Sequence, residues 1–157
     1  MLEMKTARSQ VLAAVEGLSD AQASRAELDG WSVKDHLSHL TACDEFRFYE
    51  IGRVSRGART AFASADDERH DALNAIIVAL RRNMTLEELI ADLEFARSLV
   101  LEAIGQAPEH ALAPEAYGDF AVNGSIAHDL EHAAAITAWR QGRGYDREDP
   151  SRRHRRP

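Results

Sequence analysis

The feature that most restricts the possible folds of this 157-residue chain is its long stretches without glycine or proline. In these stretches apolar residues recur at helical spacing. Its nine glycines and four prolines lie mostly near residues 52–57, 105–114, 118–124 and beyond 142. Apolar positions three or four apart predict helices, and β-branched or aromatic runs with the period of a strand are absent. We therefore predict an all-α fold, in which four long helices with short links form an antiparallel four-helix bundle.

Three capping boxes mark predicted helix starts. In each, a Ser or Thr is followed three residues later by a side chain that can accept a hydrogen bond from the backbone N–H of that Ser or Thr. The three pairs are Ser19–Gln22, Ser32–Asp35 and Thr85–Glu88. Together with the apolar spacing they predict a short turn after residue 19 and helices over about 2–18, 32–56, 67–82, 85–104 and 123–142. Residues 58–66 and 107–123 are predicted to be loops.

The length and composition predict one domain, with the bundle over residues 1–144 and a polar, basic, flexible tail over 145–157. A single cysteine excludes a disulfide framework. Neither a secretory signal nor a run of roughly 18 apolar residues is present, so we expect a cytoplasmic protein without membrane spans. The net charge of −7, despite four arginines in the last seven residues, argues against nucleic acid as a partner.

The segment HDLEH, residues 128–132, is the most informative for chemistry. His128 and His132 are four residues apart, which on a helix places them about 40° apart around the axis and about 6 Å along it. Both imidazoles can therefore reach one metal ion. His39, at the edge of the apolar face of the second long helix, is the best source of a third ligand. Three protein ligands with one open position are typical of a catalytic metal site.

Two other interpretations of these histidines remain open. Buried histidines are often core residues whose hydrogen bonds are satisfied, although burying two imidazoles without partners is costly. HDLEH also fits H-x-x-E-H, the inverted zinc-peptidase motif, in which Glu131 would be the general base. That motif needs an acidic third ligand far downstream, and only 25 mostly polar residues follow His132.

Several other side chains have two interpretations each. Cys43 is a candidate metal ligand or a small core residue. His36 is a candidate donor to a ligand or a partly exposed helix residue. Asp44 could orient a ligand histidine or pair with Arg47 or Arg140. Trp31 is expected to be a hydrophobic staple rather than a ligand platform. Two aromatic residues, Phe46 and Trp139, are predicted to line the pocket. Three histidines are predicted to lie on the surface: His70, His110 and His154.

GWSVKDHLSHL, followed near the C-terminus by AHDLEHAAAITAW, resembles the DinB/YfiT-like superfamily of metal-binding four-helix bundles. That group includes the N-terminal domain of mycothiol-dependent maleylpyruvate isomerase. The segment DALNAIIVALRRNMTLEELIADLEFARSLVLEAI resembles the colibactin self-protection (DfsB) branch. The resemblance implies an up-down-down-up bundle, often dimeric, with zinc or nickel bound by His39, His128 and His132. It also implies a thiolate, such as that of mycothiol, presented by the metal. We expect no counterpart of the isomerase's second domain after the predicted bundle.

Three hypotheses for function follow. The first is a metal-dependent enzyme, either a thiol S-transferase or a hydrolase that detoxifies small electrophiles, with Glu131 or Asp44 in an accessory or proton-carrying role. The second is a DfsB-like, metal-independent hydrolase or sequestering protein that protects against a reactive small molecule. The third is a non-catalytic metal-binding bundle, whose histidines fasten two helices and whose fourth ligand would be Cys43.

Overall fold

The computed structural model describes residues 1–28, 30–61, 67–114 and 116–145. All regular elements in these ranges are helical, which confirms the all-α prediction. Six α-helices follow one another along the chain: α1 Leu2–Val15, α2 Asp20–Ala23, α3 Val33–Val54, α4 Asp67–Arg81, α5 Leu86–Gln106 and α6 Gly118–Arg143. A single 3₁₀ turn, Glu109–Ala111, lies between α5 and α6. None of the described helices is both long and apolar enough to cross a membrane.

Four helices, α1, α3, α5 and α6, share two apolar clusters, and these clusters fix the helix directions. The first joins the C-terminal halves of α1 and α6 to the N-terminal halves of α3 and α5; it contains Val11, Leu37, Leu89 and Ile136. The second joins the opposite halves; it contains Met4, Ile51, Val100 and Ala121. Helices α1 and α6 therefore run in one direction, and α3 and α5 run in the other. The closest packing is between the parallel partners, α1 with α6 and α3 with α5.

Local signals place most helix starts correctly. All three predicted capping boxes are present, with the side chain of Ser19, Ser32 or Thr85 accepting from the backbone three residues later. The first helix ends at Val15 rather than at Leu18. Gly17 follows with a φ of 77°, a left-handed conformation that favours glycine and ends the helix.

The start of α6 differs from the prediction. The helix begins at Gly118, before the expected start at Asn123–Ser125, although Tyr117 provides no side-chain cap. The extra turn is held by tertiary packing, because Tyr117 and Ala121 are both buried in the second apolar cluster. At Gly118 the helix passes so close to the carbonyl of Leu112 that a Cβ atom would collide with it. Sequence spacing carries no signal for such a close approach.

The predicted tail, residues 145–157, lies outside the described residues except for Tyr145. Tyr145 packs against Trp139, with ring centroids 5.3 Å apart, and its carbonyl accepts a hydrogen bond from Arg140. The first residue of the predicted tail is thus attached to the bundle. The domain boundary itself stays a prediction, as does the loop over residues 58–66, of which residues 62–66 lie outside the described part.

Five buried charged residues, which we call the arginine–aspartate network, cross the middle of the bundle. Asp44 accepts hydrogen bonds from Arg97 Nε at 2.8 Å, Arg8 Nη2 at 3.0 Å and Arg47 Nη1 at 3.1 Å. Asp129 pairs with Arg8 Nη2 at 2.9 Å and with Arg97 Nη2 at 3.0 Å. All five side chains are nearly inaccessible to solvent. The network joins α1, α3, α5 and α6 beside the histidines described next.

Candidate metal centre

The three histidines predicted as ligands lie together between α3 and α6. His39 Nε2 is 3.0 Å from His128 Nε2, and His132 Nε2 is also 3.0 Å from His128 Nε2. The rings of His128 and His132 are nearly perpendicular, with centroids 4.6 Å apart. The i,i+4 spacing on α6 and the position of His39 on α3 therefore bring the Nε2 atoms of His39 and His132 each close to the Nε2 atom of His128. Whether they bind a metal stays a prediction.

Two further side chains orient this cluster through the opposite ring nitrogens. His39 Nδ1 lies 2.9 Å from Asn74 Oδ1, and His132 Nδ1 lies 2.8 Å from His36 Nδ1. An amide oxygen only accepts, so His39 Nδ1 carries the proton and its Nε2 keeps a free lone pair. Metal-binding histidines are usually held by such outer hydrogen bonds, which fix the ring and its tautomer.

Burial keeps the imidazoles neutral. Burial, with smaller contributions from the neighbouring His132 and His39, lowers the pKa of His128 to about 2. Burial also lowers the pKa of His132 to about 3, again with contributions from neighbouring histidines, and lowers the pKa of His39. Near pH 7 these rings therefore offer lone pairs instead of positive charges. Among the described residues His128 Nδ1 is buried without a hydrogen-bond partner. Three neutral imidazoles are a donor set that fits zinc or nickel.

Cys43 lies beside the cluster, one turn after His39 on α3. Its Sγ is 3.7 Å from His39 Nε2. His39, Cys43 and His128 each offer a ligand atom, and the three atoms lie within 4.8 Å of one another. Burial raises the pKa of the Cys43 thiol to about 11, so without a metal it stays protonated. The position keeps both interpretations of Cys43 open.

A cavity of about 440 Å³ opens next to His39 and His128, between α3, α4 and α6. Phe46 lines it as predicted, and the exposed Glu131 lies on its wall. Two of the expectations for this region were wrong. His70 is half-buried and lines the cavity instead of lying on the surface. Trp139 packs in the first apolar cluster, so it does not wall the cavity.

The other side chains singled out in the sequence lie in different parts of the bundle. Asp44 contacts arginines and no histidine, because its hydrogen bonds go to the network; Arg140, its other suggested partner, bonds to backbone carbonyls near the end of α1 instead. Trp31 packs 5.3 Å from the ring of His36, as a staple would, and also 5.5 Å from the ring of His39. His110 is exposed as predicted, and His154 lies outside the described residues.

Asn74 and Arg47 are site residues that were not singled out as such. Asn74 lies on α4, 35 residues from the histidine it contacts, and no local pattern marks such a pair. Arg47 was considered only as a partner of Asp44. A signal was available, since His39, Cys43 and Arg47 follow one another at four-residue spacing along one side of α3.

The comparisons with known proteins agree with this fold. The family model described as the DinB superfamily matches residues 3–143. The crystal structure of an uncharacterised protein from Escherichia coli UTI89 is similar, with a TM-score of 0.76, 14% identity and coverage of 91% of each chain. At that identity the likeness concerns the fold alone. No curated protein matches the sequence. Because the family match covers nearly the whole described bundle, the chain belongs to the DinB superfamily.

Proposed function

We propose that His39, His128 and His132 hold one divalent metal ion that activates a small nucleophile in the adjacent cavity. The observation that carries the proposal is the approach of the three Nε2 atoms, with 3.0 Å between His128 and each of the other two. The outer hydrogen bonds that His39 makes with Asn74 and His132 makes with His36 support it, because they are arranged as in known histidine metal sites.

A bound zinc or nickel ion would lower the pKa of a coordinated thiol or water, so that it reacts as an anion near neutral pH. The residues of the chain hold and orient the reactants. The neutral histidines bind the ion, and Phe46 shields one side of the cavity from water. Glu131 is exposed at the cavity wall, where it can exchange protons with solvent. Asp44 is assigned a structural role, since its oxygens are engaged by arginines.

The reaction class proposed is transfer of a low-molecular-weight thiol, such as mycothiol, to a small electrophile, or hydrolysis of that electrophile. The expected cytoplasmic location and homodimer belong to the same proposal. These details rest on the resemblance to thiol-dependent members of the superfamily, and on a cavity of a size that suits a small ligand.

Metal content tests the proposal most directly. Protein made without a histidine tag should contain about one zinc or nickel ion per chain, and His128→Ala should contain almost none, because it loses the central ligand. Inductively coupled plasma mass spectrometry measures both. His110→Ala, which removes an exposed histidine, is the matched control and should keep its metal. A wild-type protein that takes up neither ion after incubation would contradict the proposal.

One observation favours a second candidate, the non-catalytic metal site. Cys43 Sγ lies 3.7 Å from His39 Nε2, close enough to act as the fourth ligand after a small movement. If the proposed open site is right, Cys43→Ser should change zinc affinity by less than about threefold in a competition titration with a chelator, since zinc there needs only three protein ligands. A loss of about a hundredfold or more would instead establish a closed, structural site.

A further inference from the structure

We propose that the cavity beside the histidines binds ligands that carry a carboxylate or a similar anionic group, with Arg47 as the anchor for that group. The proposal deepens the proposed function and rests on it for the position of the reactive end of the ligand, near His39 and His128. Binding of the anionic group by Arg47 requires no metal ion.

Arg47 is buried with part of its hydrogen-bonding capacity unused. Its side chain is 5% exposed, and Nη1 donates to Asp44 Oδ1 at 3.1 Å. Among the described residues its Nε has no hydrogen-bond partner. A buried guanidinium N–H without a partner is costly, and a planar fork of donors suits a carboxylate. Arg47 also lines the cavity, so the missing acceptor can come from a ligand.

The other two arginines of the network do not face the cavity. Arg8 binds both aspartates and the carbonyl of Leu93, and Arg97 also binds both aspartates. Among the described residues Arg47 forms an ion pair only with Asp44. The network therefore holds three arginines against two aspartates. Within the described ranges Arg97 Nη1 also lacks a hydrogen-bond partner, but Arg97 pairs with both aspartates, whereas Arg47, with one, is the arginine that lines the cavity. Glu50, a further buried acid of α3, accepts a hydrogen bond from the backbone N–H of Ala61.

The rest of the cavity suits a compact apolar body attached to the acid. Three of its walls are Phe46, Leu73 and Phe120, and the guanidinium carbon of Arg47 lies 5.7 Å from the ring centroid of Phe120. Tyr117 adds a hydroxyl, whose pKa is raised by burial, so it remains a neutral donor. A volume of about 440 Å³ lies in the range of small-molecule sites.

The anchor and the histidines lie on the same side of α3. Arg47 follows His39 by two helical turns, which is about 12 Å along the axis, and long helical side chains lean toward the N-terminus. A ligand held at Arg47 therefore extends toward the histidines.

Binding of matched acids and amides tests the anchor. The probes are benzoate, cinnamate and phenylbutyrate, each compared with its uncharged amide by ligand-observed nuclear magnetic resonance on metal-free protein. At least one acid should bind about tenfold more tightly than its amide, because only the acid brings a negative charge to pair with the Arg47 guanidinium. Arg47→Gln should reduce that preference to about twofold or less. Arg53→Gln, which removes a half-buried arginine outside the cavity, should preserve it.

A second variant guards against loss of folding in Arg47→Gln. Gly124→Leu narrows the cavity from α6 at a position outside the network, and it should weaken binding of both the acid and the amide. If no acid binds more tightly than its amide, or if the preference survives in Arg47→Gln, the anchor is wrong. A preference that appears only in zinc-loaded protein overturns it too, because the carboxylate then binds the metal. An Arg47-dependent preference in a protein that never takes up metal would leave the anchor standing and refute the proposed function.

Discussion

Replacing Asp44 with alanine should lower the free energy of unfolding by about 3–5 kcal/mol, because it leaves buried arginines without their shared counter-charge. Asp44 is fully buried and pairs with Arg8, Arg47 and Arg97. After the substitution Asp129 still pairs with Arg8 and Arg97, and Arg47 keeps no ion pair with an acid in the part of the chain that the structure describes. A domain of this kind has a total stability of about 5–15 kcal/mol, so the variant should unfold at much lower urea concentration.

Glu45, the next residue, provides the matched control. It is exposed and pairs with Arg81 at 2.6 Å on the surface. Surface ion pairs contribute about 0–1 kcal/mol, so Glu45→Ala should change stability by no more than that. Urea unfolding followed by circular dichroism measures both variants. Equal losses in the two variants would show that the buried network is no more sensitive than a surface pair. The loss of stability in Asp44→Ala measures the cost of leaving buried arginines without their partner. It does not mean that the network stabilises the fold more than apolar side chains of similar volume would.

Two glycines on α6 should respond to alanine in opposite directions. Gly118→Ala places a methyl group against the carbonyl of Leu112, so the start of α6 must move. We expect a loss of about 3 kcal/mol or more, since the obstacle is backbone and cannot rotate away. At Gly124 the nearest atom to an added Cβ is a ring carbon of Phe120 at 3.9 Å, an ordinary contact. Gly124→Ala should therefore raise stability by about 0.5–1 kcal/mol, because alanine favours a helix interior over glycine.

Thermal unfolding of the pair gives a direct comparison within one helix. The midpoint should fall for Gly118→Ala and rise for Gly124→Ala relative to the wild type. A small change at Gly118 would mean that the Leu112 segment shifts without cost, and that the early start of α6 is not held by this contact. A loss at Gly124 would mean that the cavity side of α6 cannot accept even one methyl group.

The parts of the fold that depend on neighbours in sequence could be predicted. The capping boxes at Ser19, Ser32 and Thr85 join residues three apart, and all three are present. The meeting of His128 and His132 also follows from helix geometry. The choice of His39 depended on its place at the edge of an apolar face and on family resemblance, and the structure does bring it to His128.

The parts of the fold that depend on contacts between residues far apart in sequence could not be predicted. Arg8 and Asp129 are 121 residues apart, and a charged residue on an amphipathic helix is usually assigned to the exposed side. A hint was present, because Arg8 continues the apolar spacing of Met4, Val11 and Val15. A charge inside an apolar stripe should have predicted a buried partner. The positions of His70 and Asn74 depend on how α4 packs on α3, which no local pattern encodes.

The parallel pairing of α1 with α6 has a consequence for the order of folding. Parallel neighbours cannot be joined by a tight turn, and here the two partners are the first and last helices of the domain. During synthesis α1 leaves the ribosome long before α6 is made. Arg8 and the apolar side of α1 therefore stay without their α6 partners until most of the chain has been synthesised. Contacts of such high sequence separation close late and slow folding. The nascent chain therefore passes through a stage in which α3 and α5 can already pair while α1 still lacks its main partner.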